Sequence, residues 1–236
     1  MLYYINLSFL SNKPDNPQKR TERRKLLSAE ARHILSVCEG RPITNDDIVK
    51  DKAGRPFFHD RKVQGTDTDF NISHSGALAA VSLVRGKNLH TGCDVEFVRP
   101  RARAREIAEE FFTVPEIEYI DADSRFDGTR FYQIWTLKEC YLKLRGFSVF
   151  EMANVPSFIS REGSYTFGSV GVFPVLFDLY ELTGNTGEHY ILAAAFEGTE
   201  VDQPEIRWFS HVSLDCKSIA KIKAAPSPAE TVRPKI

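Results

Sequence analysis

Asp94 and Glu96, two residues apart in the stretch GCDVEF (92–97), are the first pair of side chains that could do chemistry. Apolar Cys93, Val95 and Phe97 alternate with them, the pattern of a strand with one buried face. The two acids then share the opposite face, where like charges repel unless something positive lies between them. A second set lies in TRFYQIWTLKECYLKLR (129–145), where Glu139 and Lys143 stand four residues apart, one helical turn on the same face. Three carboxylates, completed by waters and substrate phosphates, suit Mg²⁺, a hard ion that keeps several waters and seldom has an all-protein cage. The blander reading makes Asp94 and Glu96 solvated residues of an exposed sheet face, and Glu139–Lys143 a surface ion pair. The third set is FNISHSG (70–76), which crowds Asn71, Ser73, His74 and Ser75 into a junction between apolar strands. A tight turn of hydroxyls, an imidazole and backbone N–H groups can hold an anion. A Ser-His-Ser run also suggests hydrolase chemistry, but no GxSxG elbow accompanies it, so phosphate contact is the better reading.

These groups need strands and helices to carry them. MLYYINLSFL reads as a first strand. Gln18 to Cys38 has Leu26, Leu27, Ala31, Ile34 and Leu35 at helical spacing. DKAGRPFF (51–58) is a Gly/Pro turn entering a short strand, and DFNISHSGALAAVSLVRG (69–86) gives a strand, a polar turn and a second strand. Arg105 to Phe112 is helical, and Thr113 with Glu116 makes a capping box for the next helix, with Pro115 in its first turn. Thr129 to Arg145 is the clearest helix, with Ile134, Leu137, Tyr141 and Leu144 on one face and Gly146 placed to end it. SYTFGSV, VLFDLYEL and HYILAAAF read as strands. The tail from 216 to 236 has little to bury and is expected to be mobile.

The chain has 236 residues, 42% of them hydrophobic, enough for a sizeable core in one domain or two small ones. Its 31 basic and 32 acidic side chains leave a net charge of −1, which speaks against a general nucleic-acid binder. Cys38, Cys93, Cys140 and Cys216 form no CxxC pair and no zinc spacing, as expected of reduced thiols in a cytoplasmic protein. MLYYINLSFL lacks a basic n-region, so no leader is expected, and no apolar run approaches the roughly 20 residues of a membrane helix.

Taken in order, GRP (54–56), FNISHS (70–75), GCDVE (92–96) and WTLKECYLK (135–143) resemble the motifs of a 4′-phosphopantetheinyl transferase. The pattern is closer to the larger, surfactin-synthetase-activating type than to the small trimeric synthase of fatty acid synthesis. The resemblance implies an α+β, sandwich-like fold of two pseudo-symmetric halves, each a small antiparallel sheet packed with helices, with the active site at their interface. The echo of LAAV (78–81) in LAAA (192–195) agrees with such halves, expected at residues 1–104 and 105–215.

By the same resemblance, Asp94, Glu96 and Glu139 match the acids that bind Mg²⁺, with Mn²⁺ as a substitute, at the pyrophosphate of coenzyme A. Ser73, His74 and Ser75 match the segment that contacts its phosphates, His74 the 3′-phosphate. Gly54, Arg55 and Pro56 match the turn beside the adenine, Lys143 a lysine at the pyrophosphate, and Lys138 a further motif position. Arg55 replaces the usual lysine, keeping charge but changing donor geometry, while Cys93 and Cys140 replace the more usual apolar or small residues. The basic residues that hold the 3′-phosphate do not align, and Arg20, Arg23 and Arg24 are candidates. The expected activity is transfer of the 4′-phosphopantetheine arm from coenzyme A to a serine of an acyl or peptidyl carrier protein, by a monomer without membrane or nucleic-acid partners. Glu139 and Lys143 would be catalytic. The rivals are a non-catalytic carrier-protein or coenzyme A binding module and a metal-dependent nuclease built on the DxE and the helix-borne ExxxK.

Overall fold

Period-two alternation and helical periodicity divide the chain much as its sequence suggests. The computed structural model describes residues 3–9, 19–52, 54–60, 62–63, 66–122, 128–161, 163, 165, 175–184, 186–198, 205–208 and 216–222. In chain order the elements are β1 (Tyr3–Phe9), α1 (Lys19–Glu39), β2 (Ile48–Lys50), β3 (Pro56–Phe58), β4 (Lys62–Val63), β5 (Thr66–Ser75), β6 (Leu78–Arg85) and β7 (His90–Phe97). They continue with α2 (Ala104–Phe111), α3 (Val114–Asp121), α4 (Thr129–Arg145), a 3-10 helix (Val149–Asn154), β8 (Val175–Gly184), β9 (His189–Glu197), β10 (Glu205–Trp208) and β11 (Cys216–Ile222). This is a mixed fold of helices and mainly antiparallel sheet.

Two sheets make the framework. The first runs β10-β1-β6-β5-β4 and the second β11-β8-β9-β7, while β2 and β3 pair as a small ribbon. All pairings are antiparallel except β1 with β10. Because strand side chains alternate, each sheet has two apolar faces to cover. On the first sheet, Val81, Leu83 and Phe70 pack against Ala31, Ile34 and Leu35 of α1. Its other face, Ile5, Leu7, Leu78, Ala80 and Val84, meets Cys93, Val95, Leu192, Ala194 and Phe196 of the second sheet. The far face of the second sheet, Leu179, Ile191, Ala193 and Ala195, receives Ile134, Leu137, Cys140 and Leu144 of α4. The layers are therefore helix, sheet, sheet, helix.

The structure corrects several expectations. Ser73, His74 and Ser75 lie within β5, because the strand pairs with β6 through Ser75↔Leu78 and the turn begins only at Gly76. Cys216–Ile222, expected in a tail with little to bury, forms β11 on the edge of the second sheet, where Ile222 packs against the α4 core. The expected boundary after residue 104 does not separate the sheets. β7, before it, joins the second sheet by pairing with β9, and β10, after it, joins the first. The SYTFGSV stretch lies almost wholly outside the described residues, with Tyr165 forming a bridge to Ile159.

Helix boundaries follow local chemistry. Thr113 and Glu116 form the expected capping box, in which the Thr113 N–H donates to Glu116 Oε2 at 2.8 Å. Gly146 ends α4 at φ 67°, a left-handed conformation that a residue with a Cβ adopts at a steric cost.

Candidate active site

α4 rests on β7 at one glycine. A Cβ at Gly92 would lie 2.6 Å from the Cys140 carbonyl oxygen and 2.9 Å from Leu144 Cβ. Its absence lets the helix backbone approach the strand, and that approach carries Glu139 and Lys143 over the face bearing Asp94 and Glu96.

Among the described residues, the other edge of β7 has no strand partner in its sheet, and exposed edge N–H groups are a liability. Here they are taken up by side chains of β5, reaching across from the first sheet. Asp69 Oδ2 accepts from Thr91 N at 2.9 Å, Asn71 Oδ1 from Cys93 N at 3.3 Å, Ser73 Oγ from Val95 N at 3.2 Å and Ser75 Oγ from Phe97 N at 3.0 Å. Every second residue of β5 takes part because only one face of a strand looks toward its neighbour. This polar ladder is the seam between the sheets, and the acids of β7 lie along it.

At the seam the Ser73 hydroxyl donates to Asp94 Oδ1 at 2.7 Å and the Ser75 hydroxyl to Glu96 Oε2 at 2.9 Å. Lys143 Nζ donates to Asp94 Oδ1 at 2.6 Å and to Ser73 Oγ at 2.9 Å. Burial opposes the Lys143 ammonium, but the Asp94 charge outweighs it and holds the lysine above its ordinary pKa. Glu139 goes the other way. Burial, reinforced by repulsion from Asp94, pushes its carboxyl up to about 7. Glu96 is raised for the same two reasons, burial first.

Asp94, Glu96, Glu139, Lys143, Ser73 and His74 line one cavity of about 520 Å³ together with Gly54 and Pro56, a size suited to a small-molecule ligand. Its other wall carries Ser28 and Arg32 of α1, Asn45, and Lys50 of β2. His74 is exposed at this wall. Partial enclosure holds its imidazole below the ordinary pKa, and the Lys143 and Arg24 charges push the same way. The cavity is lined by both signs of charge, Arg32 of α1 and Lys50 of β2 with Lys143 against Asp94, Glu96 and Glu139. Arg32 and Lys50 were not singled out in the sequence. Arg24, Ser28 and Arg32 recur every four residues along α1, beside the apolar stripe of Leu27, Ala31 and Ile34, and that spacing was the available signal. Arg23 is half-buried and does not line the cavity, and the Arg20 side chain lies outside the described residues.

Two expected residues point elsewhere. Arg55 turns from the cavity into the seam, where its guanidinium donates to Asp69 Oδ2 (2.7 Å), Thr91 O (3.0 Å) and Lys143 O (3.0 Å). A planar fork suits this clasp, which also sets a cation at the C-terminal end of α4. Lys138 is fully buried on the far side of α4, 3.1 Å from Glu116 Oε2 and donating to Val155 O. Neither residue lines the cavity, and Ser75, held at the seam by Glu96, does not line it either.

Among the described residues, no three His, Cys, Asp or Glu side chains converge closely enough to hold a metal ion as they stand. The donor chemistry nevertheless fits a hard divalent cation. Asp94 Oδ2 is buried with no hydrogen-bond partner, and burial, then repulsion from Asp94, raises the Glu96 and Glu139 carboxyls, a charge that a cation would relieve.

Comparison with known proteins points to one family. Residues 90–195, which carry β7, α4 and most of the second sheet, match the family model described as the 4′-phosphopantetheinyl transferase superfamily. The chain is 33% identical over 112 residues to the 4′-phosphopantetheinyl transferase AcpT of Salmonella typhi, covering 47% of this chain and 55% of that protein. It is 37% identical over 114 residues to AcpT of Escherichia coli K12, covering 47% and 54%. A Haemophilus influenzae protein, described provisionally as a 4′-phosphopantetheinyl transferase, is 28% identical over 208 residues, covering 86% and 80%. The chain thus spans about half the length of the AcpT relatives it matches.

Proposed function

We propose that this protein transfers the 4′-phosphopantetheine arm of coenzyme A to a serine of an acyl or peptidyl carrier protein, releasing 3′,5′-ADP. The observation that carries the reading is one cavity lined by three carboxylates and by the cations Arg32, Lys50 and Lys143. A nucleotide with a terminal phosphate and a pyrophosphate matches that lining. Arg32, Lys50 and His74 are suited to the terminal phosphate, and Lys143 to the pyrophosphate. The family match and the relatives' names support the same chemistry.

In this reading the carrier serine Oγ attacks the β-phosphorus and the bond to the bridging pyrophosphate oxygen breaks, so the adenosine moiety leaves with both its phosphates. Asp94, Glu96 and Glu139 would hold Mg²⁺, which when bound neutralises the pyrophosphate and polarises its oxygens. Glu139 takes the serine proton. It does so directly or through a water, as a carboxylate placed beside the pyrophosphate can. The Lys143 ammonium, fixed over the seam, stabilises charge as it builds on the leaving phosphate. Arg101, whose guanidinium lies 5.0 Å from the Trp135 ring centroid, adds positive charge that draws the Glu96 and Glu139 carboxyls back down.

The wider expectations belong to the same proposal: a monomer of the larger type, with two pseudo-symmetric halves, acting in the cytoplasm. In the structure, no helix among the described residues is long and apolar enough to cross a membrane. The test is mass spectrometry of an apo carrier protein incubated with this protein, coenzyme A and Mg²⁺. A gain of one phosphopantetheine arm is expected. Coenzyme A binding without that gain would reduce the protein to a binding module, and cleavage of DNA by the same preparation would favour the nuclease.

A further inference from the structure

We propose that Arg55 is a positioning residue, whose guanidinium sets the distance between the strand that carries Asp94 and Glu96 and the helix that carries Glu139 and Lys143. The proposal rests on the transferase reading and deepens it at that site. A strand and a helix share no backbone ladder, so side chains must fix one against the other. Arg55 bridges the two directly. Its Nη2 donates to the Thr91 carbonyl on β7 at 3.0 Å, and its Nε to the Lys143 carbonyl on α4 at 3.0 Å. Nη2 also donates to Asp69 Oδ2 at 2.7 Å, and that same oxygen accepts the Thr91 N–H at 2.9 Å. Both backbone groups of Thr91, three residues before Asp94, are therefore held by one ion pair.

The bond on the helix side falls in the last turn of α4, where helices fray because the final carbonyls lack intrahelical partners. The Lys143 carbonyl receives the Gly146 N–H at a long 3.3 Å, and Arg55 supplies the shorter bond. Gly146 itself lies against Asp51, whose Oδ2 would be 3.4 Å from a Cβ there. Asp51 Oδ1 in turn accepts the Arg55 N–H at 2.9 Å. The turn from 51 to 56 is thus seated on the end of α4 at two points. Gly54 and Pro56, on either side of Arg55, line the main cavity together with Lys143, so the clasp also registers that turn against the ammonium. The Arg55 and Asp69 side chains are only 14% and 15% exposed, which limits screening of the pair by salt. Another cavity, of about 280 Å³, is lined by Arg55 and Asp69, so a small cation can reach the space the side chain would leave. Lys143 held by its backbone is a preorganised charge, and a drift of about 1 Å at such a group costs roughly a hundredfold in rate.

The test is steady-state transfer to an apo carrier, with coenzyme A and carrier titrated separately, for wild type and Arg55→Ala. The variant is expected to lose about thirtyfold in kcat, with KM for each substrate changed less than about threefold. Guanidinium chloride at about 50 mM, far below the molar range in which it denatures, should raise its kcat about tenfold, and NaCl at the same concentration should not. Arg55→Lys keeps the charge without the planar fork and should fall between Arg55→Ala and wild type. Amide exchange at Gly146 and Phe147, which close the last turn of α4, should quicken about tenfold in Arg55→Ala and slow again with guanidinium. A raised KM for coenzyme A with kcat kept overturns the proposal, and so does a loss of kcat that guanidinium does not restore. Should Arg55→Ala not fold, Arg55→Lys decides, and a kcat equal to that of wild type overturns the proposal. Wild-type protein that leaves the carrier mass unchanged sinks the transferase reading instead. Amide exchange then tells, without turnover, whether the clasp holds the end of α4, and exchange unchanged by Arg55→Ala removes it.

Discussion

α4 carries two lysines, and each meets a carboxylate. Lys138 pairs with Glu116 in full burial, and Lys143 pairs with Asp94 at the seam. Five residues of helix turn about 140°, so the two ammonium groups leave opposite sides. The first pair is closed. Glu116 also accepts from Thr113 N at 2.8 Å and Phe158 N at 2.9 Å, and Lys138 also donates to Val155 O at 3.1 Å. Burial holds Lys138 below its ordinary pKa, and Glu116 only partly offsets this. The second pair is open. Asp94 keeps a buried, unpartnered Oδ2, a cavity adjoins it, and the lysine pKa is raised. Lysine beside carboxylate is thus not a functional signature by itself. What distinguishes the pairs is whether every polar atom already has a partner.

The closed pair should give the largest effect on stability. Lys138→Met leaves Glu116 charged and buried beside an apolar side chain, a loss of roughly 3–5 kcal/mol. Urea denaturation checks this. The double variant with Glu116→Gln is expected to recover part of the loss, which would identify the stranded charge as its cause. Residual folded Lys138→Met protein should keep near-normal turnover, since Lys138 lines no part of the cavity.

The open site should behave in reverse. Glu139→Gln is expected to lower turnover about a hundredfold or more, on the order of 3 kcal/mol, yet to stabilise the protein in the absence of divalent ions. Glu139 titrates at about 7 in the fold against 4.5 ordinarily. Between those values the folded state holds a proton that the unfolded chain has released, so stability falls as pH rises through that window. The variant should match wild type near pH 4.5 and exceed it by about 1–3 kcal/mol at pH 8. Thermal melts across that range decide it. A wild-type curve as flat as the variant's would remove the crowded charge.

The contrast also explains what could be read from the sequence. Asp94, Glu96, Glu139 and Lys143 were legible because strand and helix periodicity fixes which face each occupies, and α4 was found with its terminal residues. Lys138 was misread because its partner Glu116 is distant in sequence, and no local pattern announces a buried ion pair. Arg55 was assigned to the ligand for the same reason, its acceptors being spread over β5, β7 and α4. The serines looked like turn residues because polar side chains between apolar strands ordinarily mark a turn. Here they serve a neighbouring sheet edge that only the assembled fold brings near. β11 was missed because an edge strand needs few apolar side chains of its own once β8 supplies the hydrogen bonds.

A smaller effect is expected at His74. His74→Ala should weaken coenzyme A about tenfold, roughly 1.5 kcal/mol, with kcat at saturation largely kept. His74 faces the cavity opposite to the seam in which the acids are held. Steady-state titration of coenzyme A separates the two parameters. A fall in kcat at unchanged KM would move His74 into the chemistry.

The smallest effect should come from the surface at which a carrier protein is proposed to dock. The stretch from Glu109 to Ile120 carries five prominent apolar residues, Phe111, Phe112, Val114, Ile117 and Ile120. The structure sorts them by burial. Phe112 and Ile120 belong to the α4 core, and Phe111 and Ile117 pack partly against it. Val114, at the start of α3, is 68% exposed, so its apolar surface is available to a partner. Carrier recognition helices are ordinarily acidic with a few apolar contacts, so a carboxylate here would both remove an anchor and repel the partner. Val114→Asp should therefore raise KM for the carrier several-fold, about 1 kcal/mol, and leave KM for coenzyme A unchanged. The substitution should not unfold the protein, since an acid in the first turn of a helix is favoured by its dipole. Titrating each substrate with the other saturating gives the answer. Equal effects on both, or none on the carrier, would place the docking surface elsewhere on the molecule.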